Sequence, residues 1–287
     1  MLFLSVPDDL ASAKRRRRFL PVSASLGLLQ DLPLGFVASL TASYIQRAPK
    51  ASELFSRGPH DAPGTFEIGD PSLKKETAKT IELGLRRSAG PWRFDASLYA
   101  TRYEGFIYRR LTGARCDDDF ASCGTGEELA QVVYTQRNAT FLGGELKTQY
   151  DLFEIGPHVF GIEGQYDIVR AKFSGDENVP RIPPQRLGGG FYWRGGDAWS
   201  ARVTLLHAFA QRRIAPEETT TAGYNLLNAE LSYKVKLKDG PLGPIELTAG
   251  VKGTNLLNET IRNAVSFRKD DVVAPGRGVR AFLSAKF

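Results

Sequence analysis

Cys116 and Cys123 lie close together in a stretch that also holds Asp117, Asp118 and Asp119, the densest group of chemically capable side chains in the chain. Two thiols so near each other in a polar, Asp- and Gly-rich segment suit a disulfide closing a short surface loop, which points to an oxidising compartment. Two free thiols are the competing reading, and zinc is disfavoured because no second Cys or His pair accompanies them. The three aspartates could collect cations, but a solvated acidic loop tip is the plainer account, since the Gly and Glu spacing of a calcium loop is missing. Lys14 to Arg18 form a basic run. No nucleic-acid recognition module or stacking platform accompanies it, so nucleic acid is not expected as a partner. Beside a membrane surface the run could pair with lipid phosphates, and a solvated loop explains it equally. There is no nucleophile elbow, phosphate-binding glycine loop or His-rich metal motif. The chain is not expected to be an enzyme, and nothing in it calls for a cofactor.

The elements that carry these residues have a period of two. Leu227, Ala229, Leu231, Tyr233, Val235 and Leu237 alternate with Asn228, Glu230, Ser232, Lys234 and Lys236. Ile245, Leu247, Ala249 and Val251 alternate with polar residues, as do Trp92, Phe94, Ala96, Leu98 and Ala100. This is the pattern of strands with one apolar face. Eleven strands are predicted, centred near residues 25, 40, 82, 97, 146, 164, 190, 203, 231, 250 and 283, each about ten residues long. That length is what a tilted strand needs to cross a bilayer. No window approaches the roughly 18 apolar residues of a spanning helix.

The polar faces are charged. Glu145, Lys147, Glu163, Asp167, Glu230, Lys234, Glu246 and Lys252 are expected on one side, which in a wide barrel is a wet lumen. Aromatics near strand ends (Tyr44, Trp92, Tyr103, Tyr150, Tyr192, Trp193 and Trp199) are expected to form an interfacial girdle. Connections alternate in length. Short turns fall at 30–34, 88–91, 153–157, 194–198 and 238–243; long loops fall at 46–76, 111–131, 174–184, 210–221 and 256–277. That segregation is the habit of an outer-membrane barrel, with the long loops outward.

Eleven strands put the first and last in the same direction and leave two open edges, so the expected chain lacks its other half. Met1 is the only methionine, and the apolar start is too short for a signal peptide, which fits a start inside a longer reading frame. Residues 1–18 are then expected as the remnant of an external loop, and 19–287 as the barrel.

Arg47-Ala48-Pro49-Lys50-Ala51-Ser52-Glu53-Leu54-Phe55, then Gly58-Pro59-His60, then Phe66-Glu67-Ile68-Gly69-Asp70-Pro71-Ser72-Leu73 through Glu76 form one long loop. This segment resembles that of TonB-dependent outer-membrane receptors, and its Gly-Pro-His resembles their metal-uptake subgroup. Asn138-Ala139 with Gly143-Gly144-Glu145-Leu146, Thr254 to Asn258, and Pro275-Gly276-Arg277 extend the likeness.

The resemblance implies the C-terminal half of a 22-stranded transmembrane barrel, with no counterpart of the plug or the short energy-coupling box. It implies uptake of a metal ion or a siderophore-like metal chelate, in contact with outer-membrane lipid and lipopolysaccharide. The TonB-type coupling protein would be reached only through the missing plug. His60, with Asp61 and Glu67 as nearby oxygen donors, becomes a candidate for capture, alongside Asp117, Asp118 and Asp119. The final strand, with Val279, Ala281, Leu283, Ala285 and Phe287 on one face, resembles the signal read by the barrel-assembly machinery. A passive porin-like or structural barrel, and a nonfunctional truncated product, stay open as alternatives.

Overall fold

A computed structural model of the chain describes residues 16–117, 123–124, 129–240 and 243–286. Within them lie β1 (Ser23–Leu32), β2 (Phe36–Arg47), a five-residue helix α1 (Ala51–Phe55), β3 (Arg57–His60), β4 (Thr65–Ile68) and β5 (Glu76–Arg87). Then come β6 (Trp92–Cys116), β7 (Cys123–Gly124), β8 (Leu129–Ile155), β9 (His158–Phe173) and β10 (Arg186–Gly195). The chain continues with β11 (Trp199–Ala208), β12 (Tyr224–Gly240), β13 (Gly243–Thr254) and β14 (Gly278–Lys286).

Eleven of these strands form one antiparallel meander in the order β1-β2-β5-β6-β8-β9-β10-β11-β12-β13-β14. β3, β4 and β7 lie off that path, β4 pairing parallel with β8. Each expected strand centre falls inside a strand of the meander. The sheet is not closed: among the described residues β1 pairs only with β2 and β14 only with β13.

Alternation becomes two chemically distinct faces because the register keeps like with like. Leu231 lies opposite Ala201, Val203 opposite Phe191, and Phe191 opposite Ile162. This face is apolar yet uncovered, with Phe191 69% and Leu283 75% exposed. Val279, Ala281, Leu283 and Ala285 extend it along β14, opposite Gly253, Val251, Ala249 and Leu247; Phe287 lies outside the described residues. On the other face Glu230 sits opposite Lys252 and Glu145 opposite Asp167. Lys252 and Glu230 approach to 3.6 Å, Lys234 and Glu246 to 3.6 Å, and Arg202 and Glu163 to 3.4 Å. This charged face lines a concavity of about 600 Å³ whose wall includes Arg93, Lys147, Glu163, Arg202, Glu230 and Lys252. The buried apolar residues collect elsewhere, in one cluster of Tyr108, Ala139, Ala171, Phe173 and Val179 and another of Leu54, Leu73 and Ile107. Both underpin the long loops.

Three expectations need correction. Strand length is not uniform: β6 runs 25 residues and β8 runs 27. Consequently the span 111–131 is not a simple loop, because pairing resumes at Arg115↔Ala130 and Cys116↔Leu129. Beyond the ends of its neighbours the hairpin continues from Phe106 to Cys116, roughly 35 Å at strand rise. Third, the aromatic girdle loses two members. Tyr44, Trp92, Tyr150 and Trp199 are exposed on the apolar face, but Tyr192 is buried on the charged one, where its hydroxyl reaches Asp151. Tyr103 packs against Phe106 and Phe141 at centroid distances of 5.0 and 5.1 Å, in the first apolar cluster. Position near a strand end does not reveal which face a ring takes.

Candidate functional site at the long-loop end

The loop from β2 to β5 is held by its own charged residues. Arg47, the last residue of β2, donates from Nη1 to Glu53 at 2.8 Å and from Nε to Glu76 at 3.3 Å. Glu53 also accepts the Lys50 amide at 2.7 Å, which caps α1, and Glu76 accepts the Ile107 amide at 2.6 Å. One arginine therefore ties both ends of the loop to β6. Gly69 lets the chain return across α1, since a Cβ there would stand 2.6 Å from the backbone of Leu54 and Phe55. Arg17 donates to the Pro71 carbonyl and, at 3.2 Å, to that of Leu73, so the start of the described chain also lies against this loop.

Glu67, on β4, is the electrostatic centre of the loop. Its Oε1 accepts from Arg109 Nη1 at 2.6 Å and lies 2.9 Å from His60 Nδ1; its Oε2 accepts the Tyr134 hydroxyl at 2.9 Å. Burial alone would raise the carboxyl's pKa, but the bonds from His60, Tyr134 and Arg109 outweigh it and hold the group below its ordinary range. Burial and the bond to Glu67 push the Tyr134 phenol up to about 12. Arg109 and Tyr134 both stand on the part of the β6–β8 hairpin that extends past its neighbours.

The same hairpin reaches the other long loops. The Arg109 guanidinium lies 4.3 Å from the ring centroid of Phe267, in the β13–β14 loop, and Arg181 of the β9–β10 loop lies 3.9 Å from the same centroid. Thr219 in the β11–β12 loop donates to Asp270 at 2.6 Å, and Lys269 donates to the Thr219 carbonyl at 2.5 Å. The β2–β5, β9–β10, β11–β12 and β13–β14 loops thus meet around this hairpin in one roof at the long-loop end.

The sequence candidates are distributed unevenly in this arrangement. His60 and Glu67 come together, while Asp61 sits exposed at the β3–β4 turn, its carbonyl accepting the Gly64 amide at 3.0 Å. Asp117 follows Cys116 at the hairpin tip, and Asp118 and Asp119 lie outside the described residues. Cys116 and Cys123 are joined by a disulfide. Among the described residues no cluster of three or more His, Cys, Asp or Glu side chains is arranged to hold a metal ion. Both oxygens of Glu67 are already engaged, so a cation there would compete with Arg109. Three members of this roof escaped sequence reading: Tyr134, Arg181 and Phe267. No local pattern marks such residues, because their partners are supplied by loops far apart in the chain.

Comparison with known proteins places this geometry. Residues 12–256 match the family described as TonB dependent receptor-like, beta-barrel. The chain is 29% identical over 191 residues to the hemoglobin-haptoglobin utilization protein B of Neisseria meningitidis serogroup C, covering 62% of this chain and 23% of that protein. Its fold is similar to that of the copper transporter OprC, with a TM-score of 0.68 and 21% identity over 92% of this chain and 38% of that one. It is also similar to the siderophore receptor PirA from Acinetobacter baumannii, with a TM-score of 0.57 and 16% identity over 92% of this chain and 40% of that one. The chain spans less than half the length of each of these relatives. The family match covers most of the chain, and the two-faced antiparallel sheet agrees with it: this protein belongs to the TonB-dependent receptor-like β-barrel family.

Proposed function

We propose that this chain forms part of the barrel of an outer-membrane receptor for energy-coupled uptake of a metal ion or metal chelate. The observation that carries the reading is the eleven-strand meander itself, apolar on one face and charged on the other, with its long loops gathered at one end. The apolar face suits lipid, and the charged face suits a hydrated lumen holding Glu145, Lys147, Glu163, Asp167, Glu230, Lys234, Glu246 and Lys252. The named relatives include a copper transporter and a siderophore receptor, which supports a metal-bearing substrate. In this reading the long loops face outward toward lipopolysaccharide and capture the substrate, His60, Asp61 and Asp117 being exposed or tip-located candidates. The face of β14 carrying Val279 and Leu283 would be presented to the barrel-assembly machinery.

Topology supports completion by further strands. In an eleven-strand meander β1 and β14 run the same way, and each offers an open edge. Bare edges in hydrocarbon cost several kcal/mol per unsatisfied backbone group. A second copy rotated about the barrel axis would set β14 beside a parallel β1, which an antiparallel barrel does not use. Closure therefore needs an odd number of additional strands beginning and ending in the opposite direction, as the other half of a 22-stranded barrel would supply. The plug and the TonB-type coupling contact would belong to that other half.

Reading the coding DNA upstream of Met1 in all frames tests this. A plug and about eleven further strands, in frame or one frameshift away, are expected. An unrelated gene or a clean promoter there would overturn the importer reading.

A further inference from the structure

Near the short turns Arg87 stands on the apolar face with no charge opposite it. It ends β5, and its cross-strand partners are Phe36 on β2 and Phe94 on β6. The guanidinium carbon lies 5.6 Å from the ring centroid of Phe36 and 5.9 Å from that of Trp92. The rings hold one another in place. Phe36, Trp92 and Phe94 meet edge to face at centroid distances of 5.7, 5.7 and 6.4 Å, and Trp92 Nε1 donates to Thr148 Oγ1 at 3.0 Å. A Cβ on Gly90 would stand 3.4 Å from Arg87 Nη2, so the side chain reaches toward the β5–β6 turn, at the rim of the apolar face. Nε is buried without a hydrogen-bond partner; Nη1 and Nη2 are not buried in that way, and no protein acceptor meets them among the described residues. The two terminal nitrogens are the donors left for a ligand.

Across β6, away from Arg87, the same face is hollow. Trp92, Tyr150 and Ile162 lie in one cross-strand row, with Thr148 and Gly164 in the next. Together they line a groove of about 450 Å³. Gly164 keeps its floor low, since a Cβ there would stand 3.3 Å from Thr148 Cγ2. Trp92 is shared: it meets the guanidinium and also walls the groove. An acyl chain gains close packing in such a groove, and a phosphate ester at its end suits a guanidinium fork at the rim.

We propose that this corner of the sheet binds a single glycerophospholipid, its phosphate on Arg87 Nη1 and Nη2 and one acyl chain in the groove between Trp92, Tyr150 and Ile162. The inference rests on the membrane reading above, in which the apolar face meets lipid. It commits to a phospholipid rather than lipopolysaccharide because the site lies at the short-turn end, in the leaflet opposite the long loops.

The test is fluorescence quenching of the full chain in detergent by phosphatidylglycerol with brominated acyl chains, with brominated diacylglycerol as the phosphate-free control. Trp92, Trp193 and Trp199 are the tryptophans of the chain. One reporter keeps Trp92 alone, and another keeps only Trp199, which is exposed elsewhere on the same face. In the Trp92 reporter, half-quenching by phosphatidylglycerol should come at a concentration at least tenfold below that of diacylglycerol. Arg87→Gln should abolish that preference, and Arg87→Lys should keep part of it. Gly164→Leu, which fills the groove, should raise the half-quenching concentration severalfold. Far-UV circular dichroism establishes that each variant keeps its sheet, and Arg87→Lys and Gly164→Leu decide the matter where Arg87→Gln does not fold. Equal quenching by the two lipids, a preference unchanged in both Arg87 variants, or quenching unchanged in Gly164→Leu would each overturn the proposal. So would unlabelled lipopolysaccharide displacing the brominated lipid better than unlabelled phosphatidylglycerol does. The Trp199 reporter separates this failure from that of the membrane reading. Quenching of Trp199 by excess of either brominated lipid keeps the apolar face in lipid whatever Arg87 does, and its absence would remove the membrane assignment itself.

Discussion

The ring of Tyr192 on β10 lies directly over the α-carbon of Gly161 on β9, its cross-strand partner, and from there its hydroxyl reaches Asp151 on β8. A Cβ built on Gly161 would clash with Cζ and the hydroxyl oxygen of that ring. Asp151 also takes both Nη atoms of Arg93 at 2.8 Å and Arg194 at 2.9 Å, so the ring position decides whether a buried carboxylate keeps all its donors.

Gly161→Ala should therefore cost about 1–3 kcal/mol, the usual penalty for overpacking a close contact. The ring cannot turn away freely without giving up its bond to Asp151. Urea unfolding of the detergent-extracted chain would measure the loss. Tyr192→Phe in the Gly161→Ala background should then cost little more, because the hydroxyl contact is already broken. A fully additive double variant would show that the two residues act independently.

Glu67 makes a pH-dependent prediction. Its folded-state pKa is lowered beneath the ordinary 4.5, so its stabilising contribution is complete above that value and disappears as the pH falls through the depressed one. Amides of Thr65–Ile68 should be protected from hydrogen exchange at pH 7 and lose protection in acid below about pH 4.5. Glu67→Gln should remove that acid transition and loosen β4 already at neutral pH, by about 1.5–3 kcal/mol for a lost charge-assisted bond. An unchanged acid profile in Glu67→Gln would mean that another carboxylate governs the loop.

Much of the barrel wall was legible from residue types. The alternation from Leu227 to Leu237 needs only local information, since a pleated strand converts sequence parity directly into a face. The parity of Glu230 and Lys252 likewise set both on the charged side, where they approach to 3.6 Å. The roof was much less legible. Tyr192 and Tyr103 were assigned to a girdle by their place near strand ends, yet their faces follow from strand phase and from glycine gaps on neighbouring strands. Arg181 and Phe267 carry no periodic signal, because loop closure rather than strand geometry brings them within 3.9 Å. The β6–β8 extension was missed for a related reason: in residues 106–116 apolar Phe106, Ile107 and Tyr108 follow one another, as do Arg109 and Arg110, so the segment leaves little alternation to read.

The disulfide should act locally. Cys116 and Cys123 close a short loop at the tip of β6, and the chain-entropy estimate for such a loop is about 2–3 kcal/mol. Because the pairing at Arg115↔Ala130 lies directly beneath, reduction should fray the tip while leaving the meander intact. Limited proteolysis with and without a reductant measures this: new cleavage is expected between residues 112 and 130 and nowhere along β9 to β14. Global unfolding on reduction would show that the tip is instead coupled to the whole sheet.

The two faces of the sheet predict opposite tolerances to charge. Phe191 is 69% exposed and lies between Ile162 and Val203, on the face assigned to lipid. Phe191→Arg should destabilise the barrel in a bilayer by about 2–4 kcal/mol if the position is near mid-membrane, and less toward either interface. Lys234→Gln on the charged face breaks only a 3.6 Å, half-exposed pair with Glu246, and should change stability by less than about 1 kcal/mol. The comparison is decisive because the same two substitutions made in a soluble sheet would both fall within the small range of surface changes. Equal, small effects in lipid vesicles would therefore remove the membrane assignment of the apolar face, whatever the family resemblance of the fold.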